Sequence, residues 1–211
     1  MTRNHPLPIA VLISGAGRSL KNLLDRAAAG KLPVQVRVVI SSHPRVAGLA
    51  IAESANIATA TICREDFVDT KSYSAALFAI CREREVDLVV LAGFLKHILI
   101  PEDFRQRVIN IHPSLIPAFC GKGFYGEKVH RAVLESGARV TGCTVHYVDD
   151  QYDHGPIILR RTVAVLDDDT PESLSARVFA EECEALPEAI LKAGRHAADP
   201  ASRRIGEPPG A

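Results

Sequence analysis

Short apolar runs alternate with helical patterns along the chain, and this alternation predicts the fold. The apolar run from Ile9 to Ile13 ends at a glycine-containing turn, and the leucine spacing after that turn predicts a helix. β-Branched residues over Val34 to Ile40 predict a second strand, Val46 to Ser54 a helix, and Ala58 to Ile62 a third strand. Strands that alternate with helices in this way are typical of parallel β-α-β units.

The same alternation continues through the middle of the chain. An apolar stripe predicts a helix over Thr70 to Glu85, and the apolar run from Asp87 to Ala92 is typical of a strand buried on both faces. We therefore expect this strand at the centre of the sheet. Val108 to Ile111 predicts the next strand, and two prolines in the segment 113–117 exclude a helix or central strand there. That segment is expected to be a loop at a strand end.

The last third of the chain predicts two further helices and a pair of strands. Gly126 to Ser136 is helical in pattern, whereas Arg139 to Val148 and Ile157 to Val165 alternate apolar and polar residues. Thr170 as a cap, followed by a proline at the first helical position, predicts a long closing helix over Pro171 to Ala193. Together the elements predict an α/β fold: one doubly wound, mostly parallel, Rossmann-like sheet with helices on both faces.

Length and composition agree with a single domain. The chain has 211 residues, of which 47% are hydrophobic, and this is enough to bury one sizeable core. We place the folded domain at residues 1–195. Residues 196–211 are rich in alanine, arginine, proline and glycine, and we expect them to form a disordered tail.

Charge and cysteine content narrow the class of protein. The 25 basic residues balance the 25 acidic ones, which argues against nucleic acid or an anionic membrane as a partner. The five cysteines form no Cys-x-x-Cys pair, so reduced thiols are expected. The first residues lack the pattern of a signal peptide, and no apolar run is long enough to span a membrane. We expect a soluble, cytoplasmic protein that acts on small molecules.

The turn after the first strand is the first candidate site. Gly15 and Gly17 allow a ligand to approach the backbone closely, and the helix that follows points free N–H groups at it. Such a turn can bind phosphate. Leu20 occupies the last glycine position of a dinucleotide motif, and no Lys-Ser/Thr pair of a P-loop follows. A tight turn with only a structural role therefore remains the alternative.

Asn110 and His112 form the second candidate site. They are two residues apart at the end of a predicted strand, so their side chains share one face. Ligands of open α/β sheets bind just beyond the carboxyl ends of the strands. An amide and an imidazole at that position can stabilise an oxyanion. The alternative is that Asn110 caps the loop and His112 is an ordinary loop histidine.

Asp153 is the third candidate, in the loop between the last two strands. A carboxylate that folded back beside His112 would orient the imidazole and accept a proton. Acidic residues in loops are commonly just solvated turn formers, so the proposed contact is needed for this interpretation.

Two other chemistries compete for the same region. Several histidines offer a metal site, but they lack helical His-x-x-x-His spacing, and we predict that no metal is bound. These histidines are His112, His130, His146 and His154. Cys120 offers a nucleophile next to His112, yet it lies in a glycine-rich loop without any pattern that would orient it.

Four sequence strings, taken together and in order, resemble the folate-dependent formyltransferases, and among these the phosphoribosylglycinamide formyltransferases. The strings are SGAGRSL, LAGF, NIHPSLIP and YDHGPIIL, and the resemblance extends over residues 8 to 195. The same superfamily contains methionyl-tRNA formyltransferases, which usually carry an added C-terminal domain, and formyltetrahydrofolate hydrolases, which carry an N-terminal one. The length of this chain favours the phosphoribosylglycinamide enzymes, with the hydrolase as the alternative.

The resemblance implies a reaction and a role for each candidate. A formyl group would pass from 10-formyltetrahydrofolate to the amine of glycinamide ribonucleotide, in purine biosynthesis and without a metal. Asn110 and His112 would stabilise the tetrahedral oxyanion, and Asp153 would assist proton transfer. The domain at 1–195 would be catalytic, in a monomer or homodimer.

The resemblance also implies binding residues. The backbone of Gly17, Arg18 and Ser19 would bind the phosphate of the ribonucleotide, and Glu182 its sugar. Arg18 stands where the family often has a serine, and its charge would add to phosphate binding. The folate would contact the loop near Asp149 to Asp153 and the segment Phe94, Leu95, Lys96, His97, Ile98 and Leu99.

Overall fold

A seven-stranded sheet forms the centre of the molecule. The computed structural model describes residues 5–198, and the side chains of residues 5–195. The strands are β1 (Leu7–Ile13), β2 (Val34–Ser41), β3 (Thr59–Thr61), β4 (Leu88–Leu91), β5 (Val108–His112), β6 (Val140–Tyr147) and β7 (Ile157–Ala164). The helices are α1 (Arg18–Ala28), α2 (Ala47–Ser54), α3 (Thr70–Glu83), α4 (Glu127–Glu135) and α5 (Pro171–Ala198).

The strand order is β3-β2-β1-β4-β5-β6-β7. Strands β1 to β5 run parallel, and β6 and β7 are antiparallel additions at one side. All four residues of β4 are buried, and β4 is the middle strand of the seven, as its apolar run predicted. The predicted α/β class and the mostly parallel, doubly wound sheet are confirmed.

Strand β1 shows how the two faces of the sheet become two apolar layers. Ile9, Val11 and Ile13 pack with α1 and α5 on one face, whereas Ala10 and Leu12 pack with α3 on the other. Alternate residues of a strand point to opposite faces, and a strand covered on both faces must be apolar at every position. Burial on both faces therefore explains the continuous apolar run of β1.

The antiparallel strands β6 and β7 approach each other closely at Gly142. A Cβ atom added to Gly142 would lie 1.9 Å from the carbonyl oxygen of Arg161 on β7. No side chain fits in that distance. The backbone of β6 can therefore approach β7 this closely only because residue 142 is glycine.

Helix α5 begins as predicted and contains a break in its hydrogen bonding. Thr170 and Ser173 exchange hydrogen bonds at the helix start, each backbone N–H donating to the other side chain. Pro187 lies inside α5 and has no N–H to donate to the carbonyl of Cys183, one turn earlier. The Asn22 amide of α1 donates to that carbonyl instead, at 2.9 Å.

Three details differ from the sequence prediction or lie beyond it. Helix α5 continues past the predicted end at Ala193 to Ala198, so the predicted domain boundary at 195 lies within this helix. The rest of the predicted tail, residues 199–211, lies outside the described residues. Two short 3-10 turns, Arg64–Asp66 and Glu102–Phe104, were not predicted because three residues are too few to show a period. Within residues 5–198, no helix is long and apolar enough to cross a membrane.

Candidate active site

A cleft of about 560 Å³ opens where the parallel strands β1, β4 and β5 end. Its walls come from the segments that follow those three strands, from the loop before α4, and from α4 and α5. Clefts at the carboxyl ends of strands are the usual ligand sites of open α/β sheets, and this volume is typical for a small-molecule ligand.

The turn after β1 forms one end of this large cleft. Gly17 has a φ of 73°, and a Cβ added there would lie 2.6 Å from the Cα of Gly48 in α2. Glycine at 17 therefore serves both the left-handed conformation and the close contact between helices. No side chain caps the start of α1, so its first N–H groups are available to an anion in the cleft.

Arg18 adds a cation to this end of the cleft. Its guanidinium carbon lies 4.2 Å from the centre of the Phe179 ring of α5, and both residues line the cleft. Stacking on an aromatic ring holds a guanidinium in place while leaving its N–H groups free. Arg18 makes no ion pair with any residue in the described part of the chain.

Asn110, His112 and Asp153 come together at the other end of the large cleft. Strand β5 presents Asn110 and His112 on one face, and the loop between β6 and β7 brings Asp153 against both. The Asn110 amide donates to Asp153 Oδ1 at 3.3 Å, and His112 Nδ1 lies 3.5 Å from Asp153 Oδ2. The contact on which the interpretation of Asp153 depended is present.

His146 is a fourth member of this group. It faces Asn110 directly across the β5–β6 pair. His146 Nδ1 lies 2.7 Å from the carbonyl oxygen of Tyr147, so this nitrogen carries the proton and donates it. In the neutral ring Nε2 is then an acceptor, and the Asn110 amide donates to it at 3.2 Å. His146 thus determines which way the Asn110 amide points.

The loop after β5 completes the surroundings of His112 and Asp153. His112 Nε2 donates to the carbonyl oxygen of Phe119 at 2.9 Å, and the N–H of Gly121 donates to Asp153 Oδ2 at 2.8 Å. Phe119 holds a φ of 52°, an uncommon conformation for a residue with a side chain. The predicted loop at 113–117 and its continuation therefore fix both catalytic candidates by backbone contacts.

The protonation states follow from burial and from these contacts. Burial lowers the pKa of His112, and the charge of Asp153 and the Phe119 carbonyl oppose that shift only in part. Burial alone would raise the pKa of Asp153, but its contacts with His146 and His112 and the hydrogen bond from the Gly121 N–H lower it overall. At neutral pH the pair is a neutral imidazole and a carboxylate. A proton arriving at His112 Nδ1 would be stabilised by Asp153.

A second, smaller cleft of about 60 Å³ meets the large one at this group. Phe94, Asn110, Tyr152 and Asp153 line both clefts. His97 stacks on Tyr152 with ring centres 4.9 Å apart, and its Nε2 lies 2.9 Å from the carbonyl oxygen of Asp150. The segment after β4 and the loop before β7 therefore form opposite walls of this small cleft.

The structure distributes the predicted folate segment over both clefts. Lys96, His97 and Ile98 line the small cleft and Leu95 the large one, while Leu99 lines neither. The backbone N–H of Leu99 donates to Ser74 Oγ, which anchors the segment to α3.

Glu182 of α5 lines the large cleft, and its carboxylate makes no hydrogen bond to any other described residue. Burial raises the pKa of Glu182 to about 7, and the nearby charge of Arg18 opposes this shift. A carboxyl group with such a pKa and no partner of its own is free to accept hydrogen bonds from a ligand.

Cys120 is poorly placed for nucleophilic chemistry. Its Sγ donates to the carbonyl of Pro117 at 3.3 Å, and burial followed by the charge of Asp153 raises the pKa of the thiol. The reactive thiolate is therefore disfavoured. Among residues 5–198 there is also no cluster of three or more side chains that could hold a metal ion.

Sequence reasoning missed the roles of His146 and Phe179 in this site. The identity of the residue opposite Asn110 depends on the register of β5 and β6, and two alternating strands fit together in several registers. Phe179 lies on a helix far along the chain and looks like an ordinary core residue. The only signal for Phe179 in the sequence was its spacing from Glu182, since residues three apart share one face of a helix.

Comparison with known proteins agrees with this geometry. The family model described as Formyl transferase matches residues 7–190. A phosphoribosylglycinamide formyltransferase of Haemophilus influenzae is 35% identical over 182 residues, which cover 85% of this chain and 83% of that protein. The crystal structure of glycinamide ribonucleotide transformylase 1 from Symbiobacterium toebii has a TM-score of 0.85 and 41% identity, covering 92% of this chain and 91% of that one.

A plant relative is longer than this chain. The chloroplastic phosphoribosylglycinamide formyltransferase of Vigna unguiculata is 39% identical over 186 residues, which are 86% of this chain but only 59% of that protein. The family model nevertheless covers the sheet, both clefts and all three catalytic candidates. The chain belongs to the formyl transferase family.

Proposed function

We propose that this protein transfers the formyl group of 10-formyltetrahydrofolate to the amine of N1-(5-phospho-D-ribosyl)glycinamide, a step of purine biosynthesis. The observation that carries the proposal is the position of Asn110 and Asp153 at the junction of two clefts. A reaction between two bound molecules needs its catalytic groups where the two binding sites meet.

The large cleft suits the ribonucleotide. The free N–H groups of Gly17, Arg18 and Ser19 and the Arg18 guanidinium suit a phosphate group at one end. Glu182 is an acceptor for the ribose hydroxyls, between that end and the catalytic group. The glycinamide amine then lies next to Asn110 and His112. The folate lies along the segment from Phe94 to Leu99, with only a part of it in the small cleft of about 60 Å³.

The proposed reaction begins with attack of the neutral amine on the formyl carbon. The carbonyl oxygen becomes an oxyanion as the tetrahedral intermediate forms. In the free protein both N–H bonds of Asn110 point to His146 and Asp153, and the oxyanion competes for one of them. Because the site is largely shielded from water, such a donor stabilises the developing charge strongly.

The amine must lose a proton and the folate nitrogen must gain one. His112 Nδ1 is the free basic nitrogen of the site, since Nε2 donates to Phe119. It accepts the proton of the attacking amine, and Asp153 stabilises the imidazolium that results. The same proton is then delivered to the folate nitrogen as the carbon–nitrogen bond breaks, so no covalent enzyme intermediate and no metal are needed.

An absorbance assay of 10-formylfolate consumption tests the proposal. We expect turnover that requires the ribonucleotide and falls by at least about 10²-fold in His112→Ala, because proton transfer through His112 is lost. Equal turnover without the ribonucleotide would replace the proposal by the hydrolase alternative, in which water takes the place of the amine. Binding of both ligands without turnover would mean that the protein binds them but does not catalyse the reaction.

Glu182 gives the proposed ribonucleotide site a pH dependence. Its pKa is raised to about 7, and only the carboxylate is a pure acceptor for ribose hydroxyls. We therefore expect the KM for the ribonucleotide to rise as the pH falls from 8 to 6. Steady-state kinetics of Glu182→Gln should show a higher KM that no longer changes over this range, apart from the ionisation of the phosphate. An unchanged pH profile in the variant would exclude Glu182 from the site.

Three further expectations from the sequence stay predictions. They are the absence of a bound metal, a monomeric or homodimeric state, and a cytoplasmic location. The curated name of the Vigna relative includes the word chloroplastic, so relatives function in more than one compartment.

A further inference from the structure

His130 is a buried histidine in the wall of the large cleft to which neither the sequence nor the proposed mechanism gives a role. It lies in the first half of α4, lines the cleft, and is only 3% exposed. The titratable groups near it come from three elements: Arg18 of α1, His112 of β5 and Glu127 of α4 itself. His130 thus lies between the cationic end of the cleft and the catalytic group.

The imidazole of His130 lacks the partners that a buried polar group normally has. Its Nδ1 is sealed from solvent without a hydrogen bond. Within the described residues, its Nε2 makes no hydrogen bond either. Leaving Nδ1 without a partner costs folding free energy. Nε2 is not among the sealed atoms, so it is the ring nitrogen that a ligand in the cleft can reach.

The geometry determines which atom such a ligand would meet. Burial and the charge of Arg18 lower the pKa of His130, so the free ring is neutral and carries one proton. A bare lone pair is the less costly occupant of the sealed Nδ1 position, because an N–H donor without an acceptor is rarely tolerated. The proton is then on Nε2, and the ring presents an N–H donor to the cleft.

We propose that His130 binds the phosphate group of the ribonucleotide, donating from Nε2 to a phosphate oxygen beside the Arg18 guanidinium. This inference rests on the proposed function and adds a ligand to its phosphate site. His130 lines the large cleft and is not part of the wall of the small one, so it faces the ribonucleotide and not the folate. A donor beside a cation suits an anionic oxygen, which is the chemistry of a phosphate monoester.

Two substitutions separate a binding role from a structural one. His130→Leu fills the buried space without a polar atom, whereas His130→Gln keeps an N–H donor near the position of Nε2. We expect His130→Leu to raise the KM for the ribonucleotide by about tenfold to a hundredfold, as for a lost hydrogen bond to a charged group. His130→Gln should recover most of that loss, and the KM for 10-formyltetrahydrofolate should be unchanged in both variants.

The same enzymes assayed with glycinamide riboside, which lacks the phosphate, provide the matched comparison. We expect the wild-type protein and His130→Leu to use the riboside equally well. Inorganic phosphate should inhibit the wild-type protein competitively and His130→Leu more weakly. Thermal unfolding curves would test whether the variants are folded.

Two results would overturn the inference. One is a KM for the ribonucleotide that does not change in His130→Leu, and the other is an equal loss with ribonucleotide and riboside, which would mark a structural effect. Failure of the proposed function is distinct from both, because the wild-type protein itself would then show no turnover that depends on the ribonucleotide.

Discussion

Replacing Asp153 by asparagine is expected to lower kcat for formyl transfer by about 10²- to 10⁴-fold, the range typical of a lost proton-transfer partner. Asparagine has nearly the same shape but no charge. The proton that the amine gives to His112 Nδ1 would lose the carboxylate that stabilises it, 3.5 Å away. The pKa of His112, already lowered by burial, would fall further because the charge of Asp153 raises it.

Steady-state kinetics and ligand titration check this prediction. The KM values should change little compared with kcat, since Asp153 is expected to act mainly after both substrates bind. Asp103→Asn is a suitable control, because this half-exposed carboxylate pairs with Arg82 on the surface, away from both clefts. A kcat for Asp153→Asn within a few-fold of the wild-type value would refute the proposed proton path.

Replacing Gly142 by alanine is expected to cost the largest share of stability of any conservative change in the sheet. The new Cβ would overlap the carbonyl oxygen of Arg161, a backbone atom that cannot rotate away. Strands β6 and β7 would have to separate, in the part of the sheet that carries His146. We expect the free energy of unfolding to fall by about 3 kcal/mol or more, as for other overpacked sites.

Denaturant unfolding followed by circular dichroism measures the effect of Gly142→Ala. Gly15→Ala is the matched control, since nothing lies within 4 Å of a Cβ added at Gly15. Its free energy of unfolding should stay within about 0.5 kcal/mol of the wild-type value. Similar stability losses in the two variants would mean that the approach of β6 to β7 is looser than described.

The sheet was predictable because its strands are buried on both faces. A continuous apolar run such as the one in β4 fits few positions in a folded protein other than a strand buried on both faces. Helical stripes between such runs indicate β-α-β units, in which the strands are parallel. The strands β6 and β7 were predicted from their alternating pattern, but their antiparallel orientation was not. The end of α5 was predicted too early. Gly194 directly follows the predicted end and is typical of a helix end, but Pro200, two residues past Ala198, is also a stop signal.

The candidate site was predictable only where one strand carries it. Asn110 and His112 share a face of β5 by spacing alone, and the structure brings Asp153 to them as the resemblance to formyltransferases implied. His146 depends on strand register, and the isolation of His130 depends on packing between α4 and its neighbours. The strand register and this packing cannot be predicted from local sequence, because they depend on segments that meet only in the folded chain.

The hydrogen bond from Asn22 to the Cys183 carbonyl couples α1 and α5 for the purposes of protein engineering. Helix α1 begins at Arg18, and α5 carries its stacking partner Phe179, so the two helices present one composite wall. A chimera that exchanged α1 for a segment without asparagine at position 22 would leave the gap made by Pro187 open. The two helices should therefore be exchanged together in any such chimera.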